Sequence, residues 1–372
     1  MSENIFIEVN LKNLEKNLKK IKSLTGEKTK VAGIIKQNAY GHGLIPIARK
    51  LAAKNIDFLG VHNTDEAFCL LKSNVRKARI LILSNTLLPD KNLKFLIKNN
   101  VRFTVMDNRL ISDLNKTARS ANTKVKIHIK IDTGMSRLGV LAKEAEKLVY
   151  ATEKYKNVYV EGIYSHLSCA ESNPAFTRRQ IQHFKQVIAN LKREKIKIPL
   201  THICNSSAAV NYPQAHFDMA RTGLLLYGIK PTPDLEIEVK PVLSLKAKII
   251  FIKKILKNSY VSYGNTFKTE KDTLIGVISC GYAHGYAWNL SNSAEALING
   301  KKRPVLGRIC MDHMIVDLSG LESSVQTGDI VTLIGKDGTA TISAETLAEK
   351  ANTIPYEIVT RLLPTIKRVY IG

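Results

Sequence analysis

The chain has 372 residues, 44% hydrophobic and 24% charged, which is ordinary for a folded globular protein and leaves no tract that reads as disordered or low in complexity. Its 56 Lys+Arg against 32 Asp+Glu give a formal charge of +24, but the lysines are scattered along helical stretches such as residues 11–22, which argues against a nucleic-acid-binding protein. The five cysteines show no C-x-x-C spacing and no run nears the roughly 18 apolar residues of a membrane span, so a disulfide scaffold, a metal site and a membrane protein are set aside and a cytoplasmic location is expected.

In chain order, residues 11–22 have helical period, and the first buried strand is expected at 31–35, ending at Lys36. Further strands are expected at 58–62, 78–83, 102–106, 126–131, 160–166, 200–204 and 223–227, separated by helical stretches such as 45–54, 65–72, 143–155 and 178–195. Eight β/α units in about 230 residues predict a TIM-type (β/α)8 barrel. A doubly wound sheet would show a G-x-G-x-x-G turn after its first strand, and the chain has none. After Pro231 the runs alternate, at 243–252, 259–263, 274–279, 303–309, 314–318 and 329–334, with a helix at 343–351. The fold class expected is therefore α/β, with a barrel over residues 1–233 and a mostly β C-terminal domain over 234–372, joined by the linker KPTPD at 230–234.

Polar side chains at the carboxyl ends of barrel strands do chemistry. Lys36 closes an apolar run and is followed by Tyr40, a placement where desolvation lowers an amine's pKa and makes it a Schiff-base nucleophile. The fifth strand ends in KIDTGMSRLG, with Lys130, Asp132 and Arg137; the sixth ends at His166; the seventh runs into Asn205-Ser206-Ser207; and Arg221-Thr222-Gly223 precedes the eighth. Ser206 with the backbone N–H groups around Gly223 and Leu224 is a chemically sensible cradle for a phosphate. A reactive lysine facing a phosphate cradle across one barrel mouth implies pyridoxal 5′-phosphate.

Lys36 within KQNAYGHG, KIDTGMSRLG, HICNSSAA, RTGLLLYG, VSYGNTF, CGYAHGY, GRICMD and TIPYE together resemble alanine racemase, in the family's motif order from about residue 5 to 370. The resemblance implies a barrel plus β domain, and a homodimer whose active sites are shared between subunits. It implies that Lys36 carries pyridoxal phosphate, that Tyr40, Ser206, Gly223, Leu224 and Tyr356 contact its phosphate, that Arg221 faces its ring nitrogen, and that His166, linked to Arg221 at the cofactor, helps Tyr282 to serve as a base. Arg137 is then expected at the ring hydroxyl and the substrate carboxylate, with Lys130 as a possible carbamylation site. Tyr282, from the partner's β domain, is implied as the second base, with Met311 and Asp312 at the entrance and Tyr263 and Arg308 as weaker candidates there. The activity implied is interconversion of L- and D-alanine, supplying D-alanine for peptidoglycan.

Four departures from the family pattern stand out: Ser136 where glycine is usual, His284 in GYAHG where aspartate is usual, His313 after GRICMD where glutamine is frequent, and Thr365-Ile366-Lys367 in place of arginine-valine-proline. They bear on the entrance and on substrate range more than on reaction class. The alternatives kept open are a broad-specificity or serine racemase of the same fold and a pyridoxal-phosphate-binding homeostasis protein without turnover. The second is disfavoured because such proteins lack the β domain that carries Tyr282.

Overall fold

A computed structural model describes residues 4–372. The first strand, β1 (Ile5–Asn10), buries alternate residues, Ile5, Ile7 and Val9, as a strand with one solvated face does. It pairs with strands of the carboxyl-terminal domain, so the expected assignment of the amino terminus to the barrel does not describe this strand. Asn10 then caps the helix Leu11–Thr25 by accepting the Asn13 N–H at 2.9 Å, and Leu14, Leu18 and Ile21 form its buried stripe.

The barrel follows with β2 (Lys30–Ile34), β3 (Phe58–Val61), β4 (Arg79–Asn85), β5 (Arg102–Val105), β6 (Val125–Asp132), the two-residue β7 (Val140–Leu141) attached to β6, β8 (Val158–Tyr164), β9 (Leu200–His202) and β10 (Met219–Thr222). Neighbours are parallel in the order β10-β2-β3-β4-β5-β6-β8-β9. The ring is closed between β9 and β10 by Asp218 N–H to Thr201 O at 3.0 Å and Arg221 N–H to Cys204 O at 3.1 Å. The Asp218 carboxylate also accepts the Thr201 N–H at 2.8 Å and its hydroxyl at 2.6 Å. Strands buried on both faces read as continuous apolar runs, and β3 is buried at all four positions.

The eighth barrel strand is not at 223–227, as the sequence suggested, but one step earlier at β10; Leu224–Tyr227 is a 3-10 turn ended by Gly228 in the left-handed region. All four residues of that turn are fully buried, and a short continuous apolar run does not by itself distinguish a strand from a buried helical turn. The correction puts Arg221 at the carboxyl end of the last strand, on the barrel mouth.

The second domain comprises β11 (Leu243–Ile255), β12 (Thr273–Ile278), β13 (Glu295–Ile298), β14 (Lys301–Pro304), β15 (Met314–Asp317), β16 (Ile330–Asp337), β17 (Ala340–Ile342) and β18 (Lys367–Ile371). Its main path runs β14-β13-β16-β11-β1-β18. The run at 259–263 is not a strand: it makes one isolated bridge, Tyr260 to Lys268, and turns at Ser262 and Gly264, both with positive φ. The run at 303–309 is likewise cut short, with β14 ending at Pro304 and Gly307 at φ 73°. The helix Ala344–Lys350 begins as expected at Ser343, whose hydroxyl accepts the Thr346 N–H at 3.1 Å.

Two segments of this domain return to the barrel mouth. The helix Pro355–Thr360 carries Tyr356 to it, and β18 clamps the loop after Lys36 through Arg368 Nε–H to Gly41 O at 2.8 Å and Tyr370 O–H to His42 O at 3.2 Å. Among the described residues no helix is long and apolar enough to cross a membrane, and no group of three or more His, Cys, Asp or Glu is placed to hold a metal ion.

Candidate active site

A cavity of about 930 Å³ opens at the carboxyl ends of the barrel strands and is lined by Lys36, Tyr40, Lys130, Arg137, His166, Ser206, Arg221, Gly223 and Tyr356. Nine of the sequence-predicted positions thus converge, from the ends of five barrel strands and from the β domain. Leu224 is fully buried behind the cavity, where any contribution it makes is through its backbone. Tyr282 and Met311 are not in the cavity: they stand on the β domain, 43% and 55% exposed, with Tyr282 in a separate depression beside Trp288 and Arg361.

Lys36 leaves β2 into an unusual turn. Gln37, Asn38, Ala39 and Tyr40 all lie in the left-handed region, with φ of 53°, 53°, 54° and 53°. Left-handed L-residues cost roughly 1–2 kcal/mol each, so the surroundings must impose this conformation. Glu66 does so with both oxygens, accepting the Gln37 N–H and the His62 N–H at 2.7 Å each. Asn38 Oδ1 accepts the Leu44 N–H at 2.8 Å, and buried His42 donates from Nδ1 to the carbonyls of Ala39 and Tyr40, at 3.0 and 2.9 Å. Burial pushes the His42 pKa down to about 4, so the ring is neutral near pH 7. Burial, and then the Arg137 charge, lower the Lys36 amine below the usual lysine range, while Glu66 opposes the shift. The amine is therefore easier to deprotonate than a surface lysine.

Arg221 is fully enclosed and held by acceptors only. Nη1 donates to His202 Nδ1 at 2.8 Å, and Nη2 donates to Ser165 O at 2.7 Å, Ile203 O at 3.3 Å and His166 Nδ1 at 3.2 Å. An arginine only donates, so His166 accepts on Nδ1 and presents an Nε2–H. Burial, with Arg221, Lys130 and Arg137 as further causes, holds His166 well below its ordinary pKa. Opposite, Ser206 Oγ accepts the Gly223 N–H at 3.1 Å, beside Tyr40. A Cβ at Gly223 would come within 2.8 Å of the Tyr40 hydroxyl, so glycine leaves the space into which that hydroxyl and the backbone N–H groups point. Tyr356 packs 5.9 Å from Tyr40 between ring centroids, and burial first, with Glu171 adding, pushes its pKa up to about 12. These are hydrogen-bond donors gathered for an anion.

Arg137 rides on a turn built by Asp132, whose Oδ1 accepts the N–H groups of Gly134, Met135 and Ser136 at 2.8, 2.9 and 3.1 Å. Ser136 has φ 55°, which accounts physically for glycine being usual there. Arg137 is exposed and makes no hydrogen bond or ion pair among the described residues, leaving its guanidinium available to a carboxylate. Lys130 lies at the cavity floor, where burial, then Arg221, Arg137 and Lys36, push its pKa down to about 8.

The Tyr282 turn is pinned by backbone bonds to the GRICMD segment, Tyr282 N–H to Cys310 O at 3.0 Å and Ala283 N–H to Met311 O at 2.9 Å. A Cβ at Gly281 would fall 2.3 Å from Cys310 O, so these two segments pack at glycine distance. His284 accepts the Gly281 N–H on Nδ1 at 3.2 Å, a role an aspartate oxygen also fills.

Sequence reasoning missed Glu66, Tyr164, His202, His128 and Glu161. The last is detectable as a lone carboxylate inside the apolar run VYVEGIY, but nothing in the sequence says what it meets.

The family profile for the alanine racemase N-terminal domain matches residues 9–231, and that for the C-terminal domain matches residues 242–370. The chain belongs to the alanine racemase family. It is 36% identical over 366 residues to an alanine racemase of Halothermothrix orenii, covering 98% of this chain and 96% of that one. It is 34% identical over 376 residues to an alanine racemase of Methanococcus maripaludis, covering all of both chains. Among solved structures, alanine racemase from Streptomyces lavendulae superposes with a TM-score of 0.93 at 30% identity, over 100% of this chain and 98% of that one. The Bartonella henselae enzyme, described with covalently bound pyridoxal phosphate, superposes with a TM-score of 0.88 at 28% identity over all of both chains.

Proposed function

We propose that this chain is a pyridoxal-phosphate-dependent alanine racemase in which Lys36 and the partner subunit's Tyr282 are the two bases. The observation that carries the reading is the cavity itself: a desolvated lysine, an arginine held by acceptors and a cluster of hydrogen-bond donors line it together, while Tyr282 is left exposed on the β domain of the same chain. The donor set fits the cofactor: Tyr40, Ser206, Tyr356 and the N–H groups of Gly223 and Leu224 suit its phosphate, and Arg221 suits an unprotonated ring nitrogen because it can only donate. When bound, the cofactor supplies an electron sink that acidifies the substrate's α-hydrogen.

Racemisation needs a proton removed on one face and returned on the other. Lys36 Nζ holds the proton on one side and Tyr282 Oη on the other, with Lys36 serving the D-enantiomer and Tyr282 the L-enantiomer. Arg137 binds the substrate carboxylate. A homodimer is part of this reading: within one chain Lys36 lines the cavity and Tyr282 stands outside it, so a second copy is what would bring the two bases together. The product reading is D-alanine for peptidoglycan precursors in the cytoplasm. Purified protein loaded with pyridoxal phosphate should convert L-alanine to D-alanine faster than it converts L-serine or L-lysine. Preference for serine would redirect the substrate, and absence of turnover with cofactor bound would support the homeostasis reading.

Lys130 is part of the proposal as a carbamate. An amine titrating at about 8 among three cations is partly neutral at physiological pH, can add to CO2 with loss of a proton, and would then place an anion beside Arg137. Protein equilibrated with 13C-bicarbonate should show a carbamate carbon that Lys130→Ala lacks. The unmodified amine has a linkage signature too. Its folded pKa of about 8 lies below the ordinary 10.5, so its contribution to stability is present above 10.5 and lost as pH falls through 8. Carbonate-free protein should therefore gain stability from pH 8 towards 10.5, and the Lys130→Ala variant should lose that slope. An identical pH–stability profile in the two would remove Lys130 as its source.

A further inference from the structure

Arg221 is a buried cation that no carboxylate touches among the described residues, yet a file of polar side chains runs from it through the barrel interior, where branched apolar residues usually pack. His202 Nε2 lies 2.8 Å from His128 Nδ1, and His128 Nε2 lies 3.2 Å from Glu161 Oε2. Glu161 in turn receives Arg102 Nε–H at 2.8 Å and Nη2–H at 3.0 Å, from the first residue of β5 at the far end of the barrel.

Donor and acceptor rules allow one protonation pattern for this file. Arg221 Nη1 can only donate, so His202 Nδ1 accepts and His202 carries its proton on Nε2. That proton is donated to His128 Nδ1, so His128 also carries its own on Nε2 and donates it to the Glu161 carboxylate. Burial, followed for His202 by the Arg221 charge, keeps both rings neutral. Burial opposes ionisation of Glu161, but the bonds from His128 and Arg102 outweigh it and hold the carboxyl below its usual range. The fold also reserves room for the file: a Cβ at Gly162 would come within 2.6 Å of His128 Nδ1, and Tyr164 stacks on His202 with 4.7 Å between centroids and an interplanar angle of 4°.

Resting on the proposed function above, we infer that Glu161 is a positioning residue that acts through His128 and His202 to set the donor direction at Arg221, and hence the hydrogen bond offered to the cofactor ring. Glu161→Gln tests this directly. Arg102 would claim the amide oxygen, turning the amide N–H groups towards His128 and driving its proton to Nδ1. His202 would then carry a proton on Nδ1, facing Arg221 Nη1 donor to donor, and the guanidinium would have to move.

The experiment begins with 15N spectra of histidine-labelled wild-type protein without cofactor, which should show His128 and His202 as neutral Nε2–H tautomers. A Nδ1–H on His202 overturns the inference, and this result is independent of whether the protein racemises anything. In Glu161→Gln both tautomers should reverse, the dissociation constant for pyridoxal phosphate should rise about ten- to a hundredfold, the absorption band of the bound cofactor should shift, and kcat should fall with little change in KM. Glu161→Asp should restore most of this. Should the glutamine variant not fold, His128→Leu leaves the Glu161–Arg102 pair in place and should weaken cofactor binding and shift the band in the same direction. Unchanged tautomers in Glu161→Gln, or an unchanged cofactor band and affinity in whichever variant folds, would refute the relay.

Discussion

Tyr282→Phe is expected to slow racemisation by ~10²–10⁴-fold, the usual contribution of a positioned acid–base group, while cofactor affinity stays as it was. The second expectation follows from the groups proposed to hold the cofactor, Lys36, Tyr40, Ser206, Arg221 and Tyr356, being left in place by a change at Tyr282. Folding should be unaffected, since the side chain is 43% exposed and its hydroxyl makes no hydrogen bond among the described residues. The two enantiomers should respond unequally. In D2O the variant should still exchange the α-hydrogen of D-alanine, because Lys36 serves that face, and should exchange that of L-alanine far more slowly. Equal loss of exchange for both enantiomers would mean that Tyr282 organises the site as a whole. An unchanged racemisation rate would remove it from the mechanism.

The positions at the barrel mouth were legible because each lies at or just beyond the end of an apolar run. Periodicity locates strand ends to within a few residues, and in a parallel barrel all carboxyl ends share one face. Lys36, Lys130 and His166 follow from that alone, whereas Arg221 reaches a carboxyl end only once the last strand is placed at β10. The placement of strand eight failed for a related reason: Leu224 to Tyr227 are as apolar as any strand, and only the backbone at Gly223 and Gly228 reveals the turn. The opening strand was harder, because Ile5 to Asn10 pairs with β11 and β18, more than 230 residues later, and no local pattern encodes a partner at that distance.

What sequence could not supply were the side chains that act on the site from behind. Glu66 sits in the first turn of a helix, where an acidic residue is ordinary, and its two bonds to the Lys36 and His62 loops appear only when β2 and β3 are placed side by side. His128 and Glu161 look like isolated polar residues in apolar strands. Parallel register sets Gly162 opposite His128 and Tyr164 opposite His202, and it is this alignment that turns scattered residues into one file. Residues that touch a ligand are marked by type and position, whereas residues that hold them are marked by partners.

Lys36→Ala should abolish racemisation, by ~10³-fold or more, because it removes both a base and the nucleophile that anchors the cofactor. Borohydride treatment of the wild-type holoprotein should leave the cofactor covalently attached after denaturation, and the variant should release it. Mixing the two inactive proteins then tests the shared site. If Lys36→Ala and Tyr282→Phe subunits exchange freely, half of the dimers are mixed, and one of the two sites in each mixed dimer has Lys36 from one chain and Tyr282 from the other. Activity should return to roughly a quarter of the wild-type value per subunit, as expected for a two-fold dimer. If both groups came from one chain, every site in the mixture would lack one of them, and no activity would return even with complete exchange. The arrangement of the cavity and the exposed Tyr282 turn predicts recovery. Persistent silence, with mixed dimers verified by mass, would mean that Tyr282 reaches Lys36 by a movement within one subunit.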